Sequence, residues 1–290
     1  MKRWLRTIAA IAAVLLWGGV CSDPSGPGTI PVAESYAHVR AAWSPDGATI
    51  AFTVERDSAG IYLVDSSGAN VRKIKSGEGI GLCWSPDSKW LAFSSMTILS
   101  RIQATGDSLL TLGSGIPGIR PSWSPDGSMI AYSNSGLWLY SFSTGAAAML
   151  LPYGNFVSWR LNNQDLVYLV SSSNGLNTAS YEFRTFNLNT QQEADLYSFY
   201  SSSDCGFNSI NSSGDAIVFS LRPFSGTVRT QIVKVNLGNL LVTQLTTDGG
   251  DYPAWSPDGQ KIVYTRTASG DGGLWIMNAD GSGKRRLTRP

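Results

Sequence analysis

Hydrophobic positions along this chain recur on a fixed ruler, not on a helical period. An aromatic or branched anchor is followed by a tight turn, then by Ile or Leu, Ala or Val, and Phe or Tyr at offsets seven, eight and nine. Four copies are plain: Trp43-Ser-Pro-Asp-Gly47, Trp84-Ser-Pro-Asp87, Trp123-Ser-Pro-Asp-Gly127 and Trp255-Ser-Pro-Asp-Gly259. Two more are degenerate, with Trp159 leading to Leu166-Val-Tyr168 and Ile210 to Ile217-Val-Phe219. The anchors at 43, 84, 123, 159, 210 and 255 are spaced by 41, 39, 36, 51 and 45 residues. Such spacings belong to a repeat protein whose unit is a supersecondary module.

The last copy shows what one unit builds. Residues 252–255, 261–265, 274–278 and 285–288 read as four short strands separated by turns. Pro257 presets the turn backbone, Asp258 can accept from nearby main-chain amides, and Gly259 takes a positive φ without a Cβ clash. Asn163 and Ser88 hold the glycine place in repeats four and two and are expected to turn as well. Six four-stranded units predict an all-β fold, a six-bladed β-propeller of four-stranded antiparallel blades. After residue 28 no segment keeps an apolar period of 3.6, which argues against a helical solenoid. The last repeat carries its own fourth strand, so the ring needs no strand exchange to close, although 29–34 is a candidate for an added strand.

The anchor tryptophans are read as packing. One buried indole removes ~150 to 250 Å² from water, roughly 4 to 6 kcal/mol at ~25 cal/mol per Å². The residue before each anchor is small, Ala42, Cys83, Ser122, Ser158, Ser209 and Ala254. Strand alternation gives each inner strand one bulky and one slim face, as wedges around an axis require. Cys83 and Cys205 fall in opposite units, too far apart for a disulfide, and are read as small buried thiols.

A partner site is expected on the face where the inner strands begin. Three residues before each anchor stand Arg40, Gly81, Arg120, Phe156, Phe207 and Tyr252, a ring expected at the channel mouth. The arginines and aromatics suit an acidic or planar group, with Arg184, Arg222 and Arg266 extending the surface outward. The alternative is that the arginines are simply solvated and the aromatics cover blade edges. Connections on the same face vary most, above all 171–184 and 221–230, and are read as loops; variable loops on a rigid scaffold are where binding usually lives.

Charge and chemistry narrow the classes. The 22 basic and 21 acidic residues include Lys2, Arg3 and Arg6 in a leader; without these three, 19 face 21 and the charge is −2. No clustered basic excess marks a nucleic-acid surface. His38 is the single histidine, and no Gly-x-Ser-x-Gly elbow accompanies it. Neither zinc nor calcium spacing is present, so no metal, cofactor or catalytic constellation is expected. A lyase or hydrolase at the channel mouth is the alternative, because paired carboxylates are brought together only by the fold. Residues 1–20 read as an export signal, with basic residues before the apolar run 8–17. Cys21 and the 21–37 tether resemble the lipid-modified start of a bacterial lipoprotein; a free exported protein cut near Ser22 is the alternative.

The Trp-Ser-Pro-Asp-Gly copies, and above all Gly273-Leu-Trp-Ile-Met-Asn-Ala-Asp-Gly-Ser-Gly-Lys-Arg-Arg-Leu-Thr288, resemble the TolB-type (WD40-like, PD40) propeller family over residues 38–290. The resemblance implies a six-bladed propeller in the cell envelope, and in the family's namesake docking to a peptidoglycan-associated lipoprotein. Only residues 22–37 separate leader and propeller, fewer than that namesake's N-terminal domain needs. Related propellers precede the hydrolase domain of prolyl-oligopeptidase-type peptidases, and none is expected here. The reading is a monomeric, non-enzymatic, envelope-anchored scaffold that binds a protein or glycan.

Overall fold

The computed structural model describes residues 40–54, 59–113, 119–173, 178–223, 229–266 and 272–288. The leader, Cys21, the tether, the 29–34 strand and His38 lie outside the described residues. Six four-stranded antiparallel sheets follow one another along the chain. Blade one comprises β1 (Ala41–Trp43), β2 (Thr49–Val54), β3 (Gly60–Asp65) and β4 (Arg72–Ser76); blade two comprises β5 (Ile80–Trp84), β6 (Trp90–Ser95), β7 (Ile98–Gln103) and β8 (Leu110–Gly113). Blade three holds β9 (Ile119–Trp123), β10 (Met129–Ser133), β11 (Leu137–Ser141) and β12 (Ala146–Leu151). Blade four holds β13 (Asn155–Trp159), β14 (Asp165–Ser173), β15 (Ala179–Asn187) and β16 (Gln192–Ser201). Blade five is built of β17 (Ser203–Ile210), β18 (Ala216–Pro223), β19 (Gln231–Asn236) and β20 (Val242–Gln244); blade six of β21 (Asp251–Trp255), β22 (Lys261–Arg266), β23 (Gly273–Asn278) and β24 (Arg285–Arg286).

The ruler is the register of the first hairpin. Each anchor ends an innermost strand and pairs with its own offset-seven residue, as in Trp43 with Ile50, Trp159 with Leu166 and Ile210 with Ile217. The small residue before the anchor pairs with offset eight, Ala42 with Ala51 and Ser209 with Val218. Alternation then sends anchor, offset seven and offset nine toward one neighbouring blade and offset eight toward the other. Six cores result, one at each junction. In one of them Trp123, Ile130 and Tyr132 of blade three meet Ala92 and Leu99 of blade two. The last core joins Val263, Leu274 and Ile276 of blade six to Ile50, Phe52 and Val64 of blade one. The ring therefore closes through side-chain packing, and β24 belongs to the sixth blade's own sheet.

The slim face also carries hydrogen bonds between blades. Ser122 Oγ accepts from the Trp159 amide at 3.0 Å, Ser209 Oγ from the Trp255 amide at 3.3 Å, and Cys83 Sγ from the Trp123 amide at 2.9 Å. Cys83 is half-buried where the sequence suggested a small buried thiol, and desolvation pushes its pKa up to about 12. Cys205 is buried, and both cysteines are free.

The Ser-Pro-Asp turns are held by a two-residue clasp. Ser44 Oγ donates to Asp46 Oδ1 at 2.5 Å and accepts from the Thr49 amide at 2.9 Å, while Asp46 Oδ1 accepts from the Ala48 amide. Repeats two, three and six do the same, and in repeat five Asn211 takes the serine's place, accepting from the Ala216 amide. Ser88 and Asn163 turn in the left-handed region with φ of 59°, where Gly47, Gly127, Gly214 and Gly259 stand at 71°, 78°, 74° and 68° in the other copies. The Ser44, Ser85 and Ser256 hydroxyls hold the Asp46, Asp87 and Asp258 carboxyls below the usual range; for Asp126 the Ser128 amide contributes first.

A carboxyl depressed in the folded state stabilises above its unfolded pKa of about 4 and loses that contribution as pH falls through the lower folded value. Thermal melts should therefore drop as pH falls below about 4. Asp46→Asn/Asp258→Asn should melt lower at neutral pH and show a shallower acid decline than wild type.

Blades four and five depart from the plan. Of the segments read from sequence as loops, 171–173 and 179–184 are strand, and β18 runs on through 221–223. Ser171, Ser172 and Ser173 pair with Tyr181, Ser180 and Ala179, and Leu221 pairs with Gln231. The strands β14 to β18 are eight to ten residues long. All overrun on the face where the inner strands begin, hereafter the mouth face, and raise a crest there. An aromatic core of Tyr181, Phe183, Tyr197, Phe199 and Phe219 fills it.

Candidate functional site

The residue three before the anchor would follow strand alternation if the inner strand were regular, but in blades two to six it is not. In blade two Ile80 pairs with Ser94 and Cys83 with Ala92, so the inner strand carries one extra residue; blades three, four, five and six repeat the shift. A bulge of this kind re-aims a side chain. Its residue adopts the left-handed region, with φ of 64° at Gly81, 76° at Arg120, 54° at Phe156 and 54° at Tyr252. Glycine takes that conformation freely. In Arg, Phe and Tyr it costs about 1 to 3 kcal/mol. At Tyr252 the local compensation is visible: Asp251 Oδ1 accepts from the Tyr252 amide at 2.9 Å, and Ser220 Oγ does so at 3.2 Å.

The bulges open a central cavity of about 300 Å³ into which Arg40, Gly81, Arg120, Phe156 and Tyr252 converge. Arg40 lies over the Tyr252 ring at 5.2 Å and Arg120 over the Phe156 ring at 3.7 Å. The pattern is lopsided. Arg40 and Arg120 flank Gly81 in ring order, and the aromatics occupy the rest. A Cβ added to Gly81 would stand 2.5 Å from Arg120 Cα, so the bare position is sterically required. Burial, then the charge of Arg40, lowers the Arg120 pKa. A guanidinium still keeps its proton at neutral pH. Two like charges therefore meet in one half of an opening, in a chain whose mature charge is expected to be negative.

The other expected residues divide. Arg222 stands near the mouth, but it is committed to an ion pair with Asp251 at 2.6 Å. Arg266 is buried against Trp275 at 4.4 Å and pairs with Asp248 at 3.0 Å. Arg184 is no part of the cavity wall. It sits inside β15 among Glu182, Glu193 and Asp195, at 2.5, 3.5 and 3.2 Å. Burial alone would raise Glu193, but the Tyr153 and Tyr168 hydroxyls and Arg184 hold it lower. Phe207 lies in β17 at the corresponding place, and its side chain lies outside the described residues.

Two site residues escaped the sequence reading. Asn208 reaches the cavity one residue deeper than the ring, and Asp251 anchors both Arg222 and the Tyr252 bulge. The one signal for either was Gly81, whose place in an otherwise bulky series marks a backbone that prefers positive φ. Among the described residues no three His, Cys, Asp or Glu side chains gather as a metal site.

No protein-family model matches the chain, and no curated protein does. Solved structures do. TolB from Acinetobacter baumannii superposes with a TM-score of 0.65 at 19% identity, over 85% of this chain and 62% of that one. The fold is that of a TolB-type propeller. A protein described as TolB from Agrobacterium tumefaciens gives a TM-score of 0.61 at 20% identity, over 76% of this chain and 84% of that one. An oligogalacturonate lyase from Vibrio parahaemolyticus reaches 0.58 at 10% identity, over 85% and 90%. The chain thus spans less than two thirds of the Acinetobacter TolB. At these identities the TolB-type likeness is one of fold.

Proposed function

We propose that the protein is a non-enzymatic binding module of the bacterial cell envelope, taking a protein or glycan partner on its mouth face. The observation that carries the reading is backbone strain directed at one opening. Arg120, Phe156 and Tyr252 hold left-handed conformations that glycine would hold without penalty, and strain of that kind gathers where side chains have a task. The crest of blades four and five supports the same face, because it adds exposed surface, including Tyr200 at 59% exposure, beside the cationic opening. The TolB-type fold favours a binding module, and the export signal and lipoprotein-like Cys21 read from the sequence support a place in the envelope.

The test is capture from native envelopes. Ser172→Arg/Tyr200→Arg places charge and bulk on the crest, and Ser143→Arg/Thr144→Arg does so on the opposite, plain face; all four residues are exposed. The crest variant is expected to lose the partner and the plain-face variant to keep it. Equal recovery by both variants would remove the mouth face from consideration. The likeness to a lyase defines a second contrary result: turnover of an acidic polysaccharide by purified protein, lost in Arg40→Gln, would replace the binding reading with an enzyme.

A further inference from the structure

The cavity behind the mouth has a chemistry of its own, apart from the crest. Its cationic half is formed by Arg40 and Arg120 on either side of Gly81. Directly below, the residues two before the anchors are Ala41, Leu82, Pro121, Val157 and Pro253, apolar in five blades, and Asn208 in the other. Blade five stands across the ring from blade two, so Asn208 lines the cavity on the side opposite Gly81. Asn208 Nδ2 is buried and has no acceptor among the described residues. Buried amide donors almost always have a partner. A wall of this composition, with charge at one end, an apolar body and one amide donor across it, matches the usual make-up of a small-molecule pocket.

We infer that the channel binds a small monocarboxylate: its carboxylate between Arg40 and Arg120, its apolar body on the wall, and a second acceptor on Asn208. Planar guanidinium groups suit a carboxylate through paired, charge-assisted hydrogen bonds. At Gly81 no side chain stands between the two arginines, and the Arg120 backbone packs close against it. This site goes beyond the macromolecular reading, since a small acid can occupy the channel whether or not a partner covers the face.

The experiment is calorimetric titration of the purified mature protein with N-acetylphenylalanine, phenylacetate and hexanoate, each against its neutral carboxamide. At least one acid should bind saturably and its amide should bind roughly tenfold more weakly or not at all, the scale of a lost charge-assisted contact. Arg40→Gln and Arg120→Gln should each weaken the acid by a similar factor, and Asn208→Ala should weaken N-acetylphenylalanine more than hexanoate. Should Arg120→Gln fail to fold by circular dichroism, Arg40→Gln and Arg40→Lys carry the test, with partial rescue expected in the lysine variant. Saturable binding of none of the acids, equal binding of acid and amide, or unchanged affinity in Arg40→Gln would overturn the inference. Envelope capture by the crest variants reads the macromolecular proposal separately, so either can fail alone.

Discussion

Trp123→Ala should lower the unfolding free energy by about 3 to 5 kcal/mol, the range for removing a buried aromatic and leaving a cavity. Trp123 is 8% exposed, stacks on Phe142 with centroids 5.2 Å apart, and packs with Ile130 and Tyr132 of its own blade against Ala92 and Leu99 of the preceding one. Its indole nitrogen donates to the Gly127 carbonyl at 3.1 Å, tying the anchor to its own turn. Truncation thus opens a void at a blade junction and frees a turn at once. A domain of this kind holds only about 5 to 15 kcal/mol in total, so the loss should be plain in urea unfolding. Trp123→Phe should recover part of it. Trp123 does not line the channel, and ligand binding by the residual folded protein should persist. A loss under about 1 kcal/mol, the ordinary size for a surface change, would mean that the anchors do not hold the junctions.

The second large effect runs against the usual order of residues. At position 120, Arg120→Gly should be more stable than Arg120→Ala by about 1 kcal/mol, because a φ of 76° is open to glycine and strained for alanine. In ordinary strand positions the ranking is the reverse. The glycine variant also loses the stacking of Arg120 on Phe156, which the alanine variant loses equally, so the comparison isolates the backbone. Thermal melts of the two proteins read it directly. An alanine variant as stable as the glycine variant would show that the bulge relaxes and stores no strain.

Most of the ring was legible in the sequence because one hydrogen-bond register repeats in it. An anchor that pairs with offset seven, and a small neighbour that pairs with offset eight, recurs whether the anchor is Trp43 or Ile210. The turns were legible through Ser, Pro, Asp and Gly, whose local hydrogen bonds act without help from the rest of the chain. The bulge was not. Arg120, Phe156 and Tyr252 carry no preference for positive φ, and the conformation is imposed by the ladder on one side and by partners such as Asp251 on the other.

The crest was hidden for a different reason. Residues 171–173 are all serine, which reads as loop, yet Tyr181, Phe183, Tyr197 and Phe199 bury enough apolar surface to extend the strands. The ion pairs of Arg184 were not legible because its partners include a cross-strand acid, Asp195, that sequence distance does not reveal. The mouth residues themselves were found by position, since the ring three before each anchor depends only on counting from the ruler.

The account rests on a separation of tasks, with anchors holding the disc and the mouth face holding the partner. One paired measurement addresses it: melting temperature and envelope capture, side by side, for Trp123→Phe and for Ser172→Arg/Tyr200→Arg. The tryptophan variant is predicted to melt lower and still recover the partner, while the crest variant melts with wild type and recovers none. A crest variant that keeps the partner, or a tryptophan variant that loses it while still folded, would contradict the account.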